Sequence, residues 1–185
     1  MNFDSFSHGQ ITSKIWLCEK LEPLLHETTN IAILGSWYNV LAFMLLCRRP
    51  QAYQQIVGID IDSQARNVAN KICDAWCFDH NKIVNNITMD AVEYLQTNQP
   101  SVVINTSPEH FSSAEWFDLI KPGTMVCVQS SNIADDQPPW HVQQPTPNFE
   151  RFQEVYPLSR TLYSGVKDIT YVGWSYQRYM TIGVK

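Results

Sequence analysis

Apolar residues along the chain form short continuous runs, which alternate with longer segments whose apolar positions recur every three or four residues. The short runs predict strands buried on both faces, and the longer segments predict helices that cover them. The predicted strands cover residues 30–35, 55–60, 82–88, 101–107 and 124–131. The predicted helices cover residues 7–26, 37–49, 62–77, 90–97 and 113–120. This alternation predicts an α/β fold: a doubly wound, mostly parallel sheet between two helical layers.

The pattern changes after residue 131. Residues 133–148 hold four of the ten prolines and predict a loop, which suits either a lid over a binding site or a packing interface. A short helix is predicted over residues 149–156, followed by β-rich segments at 158–165 and 175–184. The connection between these two segments is too short for a crossover helix, so they are predicted to pair as an antiparallel hairpin.

Length and composition narrow the class of protein. The 185 residues suit a single domain, with residues 1–29 as an N-terminal helical extension. With 44% hydrophobic and 17% charged residues the chain is typical of a globular protein. Its net charge of −5 makes nucleic acid an unlikely partner, because binders of phosphate backbones usually cluster Lys and Arg.

The N-terminus and the cysteines indicate the compartment. The first ten residues have neither a basic nor an apolar signal segment, and no apolar run is long enough to cross a bilayer, so we expect a cytoplasmic protein without a membrane partner. The five cysteines are an odd number in apolar or helical contexts, which favours reduced thiols. Cys73, Cys77 and His80 lack a fourth ligand nearby, so core packing is favoured over a zinc site and no metal is expected.

Three strand ends carry features typical of ligand-binding turns. Residues 31–43 run from a strand through Gly35 into a helix, yet nucleotide-binding turns usually carry two or three glycines, so an ordinary connection is the alternative. The next strand ends in Asp60, 25 residues after Gly35, whereas Asp62 is favoured as the N-cap of the helix that follows. Asp90 follows the third strand and is itself a good N-cap.

The order of elements over residues 30–184 resembles the class I S-adenosylmethionine-dependent methyltransferases, whose five parallel strands are completed by a reversed strand from a C-terminal hairpin. The resemblance implies S-adenosylmethionine as the cofactor, with Asp60 accepting hydrogen bonds from its ribose and Asp90 near its adenine. The residues that it places at the cofactor are Gly35, Ser36, Trp37, Asp60, Ile61, Asp90, Ala91 and Asn105.

The first motif departs from the family pattern. Trp37 and Asn39 stand where the second and third glycines are expected, and Ile33 stands where an acidic residue is usual. Asn tolerates the left-handed conformation that such a position requires. Trp37 fits only if its indole turns away from the cofactor or forms a wall beside it.

The segment after the fourth strand is the predicted catalytic region. Residues 105–110 are polar or turn-forming and leave the sheet at the edge where α/β folds bind ligands. There Asn105 is a candidate to orient a methyl acceptor, and Glu109 or His110 to take its proton. The alternative makes Asn105 a turn former and Glu109 a helix N-terminal charge.

The leading hypothesis is a methyltransferase acting on a small molecule. The alternatives are an inactive binding or scaffold module with this fold, and a synthase that uses another group of the same cofactor, as nicotianamine synthases do. An NAD-dependent oxidoreductase would need G-x-G-x-x-G, and the chain has only GSWYNV there. A homodimer is compatible with the aromatic C-terminal hairpin.

Overall fold

The computed structural model describes residues 3–49, 51–80, 83–134 and 141–185. The strands are β1 (Asn30–Leu34), β2 (Gln55–Asp60), β3 (Ile83–Thr88), β4 (Val102–Asn105), β5 (Met125–Ser131), β6 (Arg160–Tyr171) and β7 (Trp174–Val184). The α-helices are α1 (His8–Leu21), α2 (Val40–Arg48), α3 (Ser63–His80), α4 (Ala91–Thr97), α5 (Glu115–Asp118) and α6 (Phe149–Val155). Three 3-10 helices cover Phe3–Phe6, Glu22–Leu24 and Pro108–His110.

All seven strands belong to one sheet, in the order β3-β2-β1-β4-β5-β7-β6. The first five strands in this order run parallel, and β7 pairs antiparallel with both β5 and β6. The predicted parallel sheet with a reversed strand from a C-terminal hairpin is therefore confirmed. The strand order reverses between β1 and β4. At such a point a parallel sheet has a crevice outside the carboxyl ends of the strands, and ligands bind there.

Helices cover both faces of the sheet because the central strands are apolar on both sides. Ile31 and Ile33 of β1 join one core cluster with Leu17 of α1 and Leu45 of α2. The alternate residues of β1, Ala32 and Leu34, belong to a second cluster on the other face, with side chains from α4, α5 and α6. The continuous apolar runs of the sequence thus correspond to strands buried on both faces.

The N-terminal helix packs into the domain. The indole N–H of Trp16 donates to the Tyr163 hydroxyl at 3.0 Å, and Ser13 O accepts from the side-chain amide of Gln129 at 2.9 Å. The backbone N–H of Gly9 donates to the Tyr171 hydroxyl at 2.7 Å. These contacts hold α1 against the C-terminal hairpin and β5.

The hairpin differs from the prediction in length. Its strands meet at a two-residue turn, Val172-Gly173, where Gly173 has φ +86°, and β6 is six residues longer than predicted at its C-terminal end. Sequence patterning missed this extension because Lys167 and Asp168 lie on a half-exposed edge strand. Three helices are also clearly shorter than predicted: α1 ends at Leu21, α5 is a single turn, and α2 begins only after the turn at residues 35–39.

Some predictions fall outside the described part of the chain. They include the loop residues 135–140 with Trp140, and the side chains of Cys77 and His80. Cys73 is buried in the core. In the described ranges, no helix combines the length and apolar content that a membrane crossing requires, and no three described His, Cys, Asp or Glu side chains cluster as a metal site.

Candidate active site

The turn between β1 and α2 has a left-handed backbone at alternate positions. Gly35, Trp37 and Asn39 have φ values of +59°, +48° and +50°. These are the three positions at which the methyltransferase motif carries glycines. The turn thus has the backbone conformation of a glycine-rich loop, although only one of the three residues is a glycine. Such a conformation is unfavourable for Trp and persists only when the surrounding structure holds it.

Trp37 is held by its backbone and its ring. Its N–H donates to Asp60 Oδ2 at 2.7 Å, which ties the turn to the end of β2. Its indole stacks on the Tyr38 ring with centroids 4.7 Å apart and packs against a small cluster that includes Val40 and Ala65. Trp37 therefore forms part of the wall of the crevice and does not fill it.

Asn39 is held by a chain of buried amides. Its Nδ2 donates to Asn86 Oδ1 at 2.7 Å, and Asn86 Nδ2 donates to Asn70 Oδ1 at 2.9 Å. A Cβ on Gly58 would overlap both the Asn39 and the Asn86 amides, so glycine at that position makes room for the chain. Asn39 thus anchors the turn to β3.

Gly35 is required by close packing. A Cβ there would lie 3.0 Å from the Phe111 ring and 3.0 Å from Ser107 Oγ. The turn after β1 is thus pressed against the segment that follows β4. This close approach leaves no gap between the turn after β1 and the segment after β4.

The Asp60 carboxylate is oriented by two backbone N–H groups. Oδ2 accepts from Trp37, and Oδ1 accepts from the Asp62 N–H at 2.9 Å. An ionised carboxylate has about four acceptor positions, so Asp60 keeps the capacity to accept two more hydrogen bonds. Asp62 accepts from the Gln64 N–H at 2.8 Å and caps α3, as predicted.

Asp90 caps α4 at the end of β3. Its Oδ1 accepts from the backbone N–H groups of Val92 and Glu93, at 2.8 and 3.3 Å. Both bonds use the same oxygen, and the residue also lines the crevice beside Met89 and Ala91. The two roles weighed from the sequence, cap and ligand contact, are therefore compatible in one side chain.

These elements surround a cavity of about 600 Å³ at the carboxyl ends of the strands. Its volume is within the range of small-molecule sites. The predicted residues on its surface are Gly35, Ser36, Trp37, Asp60, Ile61, Asp90, Ala91 and His110. Sequence reasoning therefore brought most of its candidates to one place.

Asn105 and Glu109 do not line this cavity, which corrects their predicted roles. Asn105 is fully buried, and its Oδ1 accepts from the Ser107 N–H at 3.0 Å, so it is the turn former of the alternative interpretation. Glu109 is 4% exposed, and its Oε1 accepts from Arg178 Nη1 at 3.0 Å. A carboxylate that is buried and paired in this way is not placed to receive a proton from a substrate in the cavity.

Arg178 of β7 forms hydrogen bonds that hold together the chain segments beneath the cavity. Besides Glu109, it donates to the carbonyl oxygen of Thr106, which itself lines the cavity. The carbonyl of Glu109 in turn accepts from the N–H groups of Gln143 and Gln144, at 2.7 and 3.0 Å. Arg178 and Glu109 thus join the C-terminal hairpin, the segment after β4 and the second half of the loop at residues 133–148.

The N-terminal segment supplies cavity residues that the sequence did not reveal. Asp4, Ser5, Gln10 and Lys14 all line the cavity. Burial, followed by the positive charge of Arg178, lowers the pKa of Lys14 to about 7. The spacing of Gln10 and Lys14 places both side chains on one face of α1. No local feature of the sequence indicates that this face lines a cavity.

Comparisons with known proteins identify the fold. Neither the family profiles nor the curated proteins give a match to this sequence. Among solved structures, the N-methyltransferase NodS from Bradyrhizobium japonicum WM9, in complex with S-adenosylhomocysteine, is similar with a TM-score of 0.69 at 9% identity, over 98% of this chain and 90% of that one.

The chain has the class I methyltransferase fold. A geranyl diphosphate methyltransferase in complex with S-adenosylmethionine matches with a TM-score of 0.66 at 11% identity, over 95% of this chain and 85% of that one. The C-terminal domain of precorrin-6Y C5,15-methyltransferase from Rhodobacter capsulatus matches with a TM-score of 0.60 at 9% identity, over 94% and 89% of the two chains. The recognition made from the order of elements is confirmed at the level of fold.

The residues of this methyltransferase fold suit S-adenosylmethionine chemically. Asp60 presents acceptor oxygens to the cavity, as a ribose diol requires. Met89, Ile61 and Ala91 give an apolar surface beside Asp90, which suits a flat aromatic base with an amino group. The cavity extends past this region to the polar residues of the N-terminal segment, which leaves space for a second small molecule.

Proposed function

We propose that the protein is an S-adenosylmethionine-dependent methyltransferase that acts on a small molecule. The observation that carries the proposal is the turn at residues 35–39, whose left-handed residues recur at the three glycine positions of the cofactor motif and are tied to Asp60. A turn that served only to connect β1 to α2 would not need a tryptophan in a left-handed conformation.

In this proposal Asp60 accepts hydrogen bonds from the ribose. Asp90 binds the adenine amino group through the carboxylate oxygen that takes no part in the capping bonds. Met89 and Ile61 contact the base, and Trp37 shields the crevice from water. The bound cofactor supplies an electrophilic methyl group. The protein needs to align an acceptor with that methyl group and to exclude water.

The acceptor is expected to be small and not a nucleic acid. One cavity of about 600 Å³ has to hold both cofactor and acceptor, and the chain carries a net charge of −5. The end of the cavity near the N-terminal segment, where the acceptor would bind, presents amide, hydroxyl, amino and imidazole groups, which suit a polar compound. The cytoplasmic location and the homodimer remain predictions.

A thermal shift titration tests the proposal. A ligand that binds only the folded state at about 100 times its Kd adds about 2.7 kcal/mol to the free energy of unfolding, which raises the melting temperature measurably. We expect S-adenosylmethionine and S-adenosylhomocysteine to raise it and NAD to leave it unchanged. If neither adenosyl ligand raised it, the inactive-scaffold hypothesis would replace this proposal.

Product analysis with pooled small-molecule acceptors separates methyl transfer from the synthase alternative. Methyl transfer releases S-adenosylhomocysteine. Transfer of the aminocarboxypropyl group would instead release methylthioadenosine. Incubation with S-adenosylmethionine labelled in the methyl group is expected to move the label into an acceptor.

A further inference from the structure

Lys14 lies at the end of the cavity away from the proposed adenosine region. Asp60 and Asp90 close the ends of β2 and β3, whereas Lys14 interacts electrostatically with Arg178 of β7 and with Glu109 after β4. In the sheet these two groups of strands lie on opposite sides of β1. A ligand held by Asp60 and Asp90 would therefore reach toward Lys14 across the turn at Gly35.

The Lys14 amine is held in place within its own helix. Its Nζ donates to Gln10 Oε1 at 2.5 Å, one turn earlier in α1, and both side chains line the cavity. This bond uses one of the N–H groups of the amine and fixes its direction. A neutral Lys14 can keep this bond and still offer its lone pair to a second molecule.

The charged and titratable groups around Lys14 come from four elements. Arg178 approaches from β7, Asp4 from the first 3-10 helix, Glu109 from the 3-10 helix after β4, and Cys18 from α1 itself. Arg178 and Glu109 are paired with each other, and Arg178 has the larger effect on Lys14. Burial is the main cause that lowers the pKa of Lys14 to about 7, and Arg178 adds to it, while Asp4, Cys18 and Glu109 oppose the shift.

Asp4 shares the Lys14 end of the cavity, and variants of Lys14 distinguish the lysine from it. The other titratable residues are less suited to take a proton. Asp60 and Asp90 are engaged by backbone N–H groups at the adenosine end. His110 and His141 are exposed at the surface. Glu109, which with His110 was one of two acceptor candidates from the sequence, is buried beneath the cavity in its pair with Arg178.

We propose that neutral Lys14 is the proton acceptor of the reaction, and that the methyl acceptor attacks through an amine or hydroxyl that carries a proton. This proposal rests on the proposed function. The lone pair of the attacking nitrogen or oxygen forms a bond to the methyl carbon, and the electron pair of the carbon–sulfur bond goes to sulfur. The proton of the attacking group moves to Lys14 Nζ, which becomes an ammonium group and later releases that proton to water.

Electrostatics couples the charge of Lys14 to the state of the cofactor. The sulfonium of S-adenosylmethionine is positive, so in the same cavity it disfavours a positive Lys14 and keeps the amine neutral. Methyl transfer removes the sulfonium charge, because S-adenosylhomocysteine carries a neutral thioether. Lys14 can then hold the proton, so the basicity of the lysine rises as the reaction proceeds.

Isothermal titration calorimetry in two buffers of different ionisation enthalpy tests this coupling without a known acceptor. At pH 7 about half of the Lys14 side chains are protonated, so we expect S-adenosylmethionine to release up to about half a proton per site. S-adenosylhomocysteine has the same amino-acid tail without the sulfonium charge and is expected to release less. The difference between the two ligands reports the effect of the sulfonium on all titrating groups of the complex, and the Lys14 variants identify the share that belongs to Lys14.

Three variants assign the proton to Lys14. Neither Lys14→Met nor Lys14→Arg has a side chain at position 14 that titrates near neutral pH. Both variants are therefore expected to lose the difference in proton release between the two ligands. Lys14→Arg differs from Lys14→Met in that it keeps a positive charge. Lys20→Met is the matched control, because Lys20 lies exposed on the same helix, and it is expected to release protons like the wild type.

The outcomes separate this proposal from the proposed function. If S-adenosylmethionine binds the wild type with the same proton release as S-adenosylhomocysteine, the role of Lys14 is overturned and the cofactor site stands. If Lys14→Arg retains the wild-type difference, another group is responsible and the proposal also fails. If neither ligand binds, the proposed function and the role of Lys14 fail together.

Discussion

The backbone N–H of Trp37 donates to Asp60 Oδ2 at 2.7 Å, and this bond joins the turn after β1 to the end of β2. Through it, the carboxylate proposed to bind ribose also stabilises a turn that contains a left-handed tryptophan. The chain thus compensates for the missing glycine with a charged hydrogen-bond acceptor, which forms stronger bonds than a neutral one. The turn and Asp60 form one structural unit.

Substitution of Trp37 is expected to reveal backbone strain. Trp37→Ala and Trp37→Gly both remove the stacking on Tyr38, but only glycine relieves the left-handed conformation. After allowance for the greater entropy of glycine in the unfolded chain, we expect Trp37→Gly to be more stable than Trp37→Ala by about 0.5–1 kcal/mol. Urea unfolding of the two variants measures this difference. Equal stability, or a more stable alanine variant, would show that the turn is not strained.

Removal of the Asp60 carboxylate is expected to weaken cofactor binding. Asp60→Ala loses the hydrogen bonds to ribose and also the anchor of Trp37, so the affinity for S-adenosylhomocysteine should fall by about 1–3 kcal/mol, or about 5- to 150-fold. Asp62→Ala is the matched control, because Asp62 only caps α3. It should lower stability by about 1 kcal/mol and leave the affinity unchanged. An unaltered affinity in Asp60→Ala would remove this residue from the binding site.

The buried pair of Arg178 and Glu109 is expected to matter for stability. Arg178→Met leaves a buried carboxylate without its partner, which should cost about 3–5 kcal/mol. The double variant Arg178→Met/Glu109→Gln removes both charges and should lose clearly less than Arg178→Met alone. Urea unfolding of the single and double variants gives the coupling between the two residues. Strictly additive losses would contradict the pairing.

Lys14 is expected to make stability depend on pH near neutrality. Its pKa in the folded protein, about 7, lies below its ordinary value of 10.5, so between these values the unfolded chain binds more protons than the folded one. The free energy of unfolding therefore rises with pH in this window. We expect the difference in stability between wild type and Lys14→Met to change in favour of the wild type from about pH 6 to about pH 8.5.

That pH range avoids the buried cysteines. Burial raises the pKa of Cys18 to about 12, and this shift acts with the opposite sign only above the ordinary thiol value of 9. Lys20→Met serves again as the control and should show no such change relative to the wild type. A stability difference between Lys14→Met and wild type that is constant with pH would show that the lysine titrates as an exposed one.

The sequence predicted the fold because its main signals are local. The apolar runs of β1 and β2 mark strands buried on both faces, and Asp60 follows the second run directly. The turn after Gly35 was also located locally, and Asn39 was expected to tolerate a left-handed conformation, whereas the left-handed backbone of Trp37 was not predicted. Cap positions such as Asp62 were anticipated for the same reason.

What the sequence missed depends on contacts between distant segments. Lys14 and Arg178 meet because α1 packs against the C-terminal hairpin, and no local pattern encodes this approach. Glu109 was taken for a catalytic residue because its partner lies 69 residues away in the chain. The true length of β6 was hidden because half of its residues face solvent and lack apolar alternation.

A crystal structure of the protein with S-adenosylhomocysteine tests the central claim most directly. We predict that the ribose hydroxyls lie within hydrogen-bond distance of Asp60, that the adenine lies between Met89 and Ile61 near Asp90, and that the sulfur points toward the Lys14 end of the cavity. A ligand bound elsewhere, or a cavity filled by the Trp37 indole, would contradict the account.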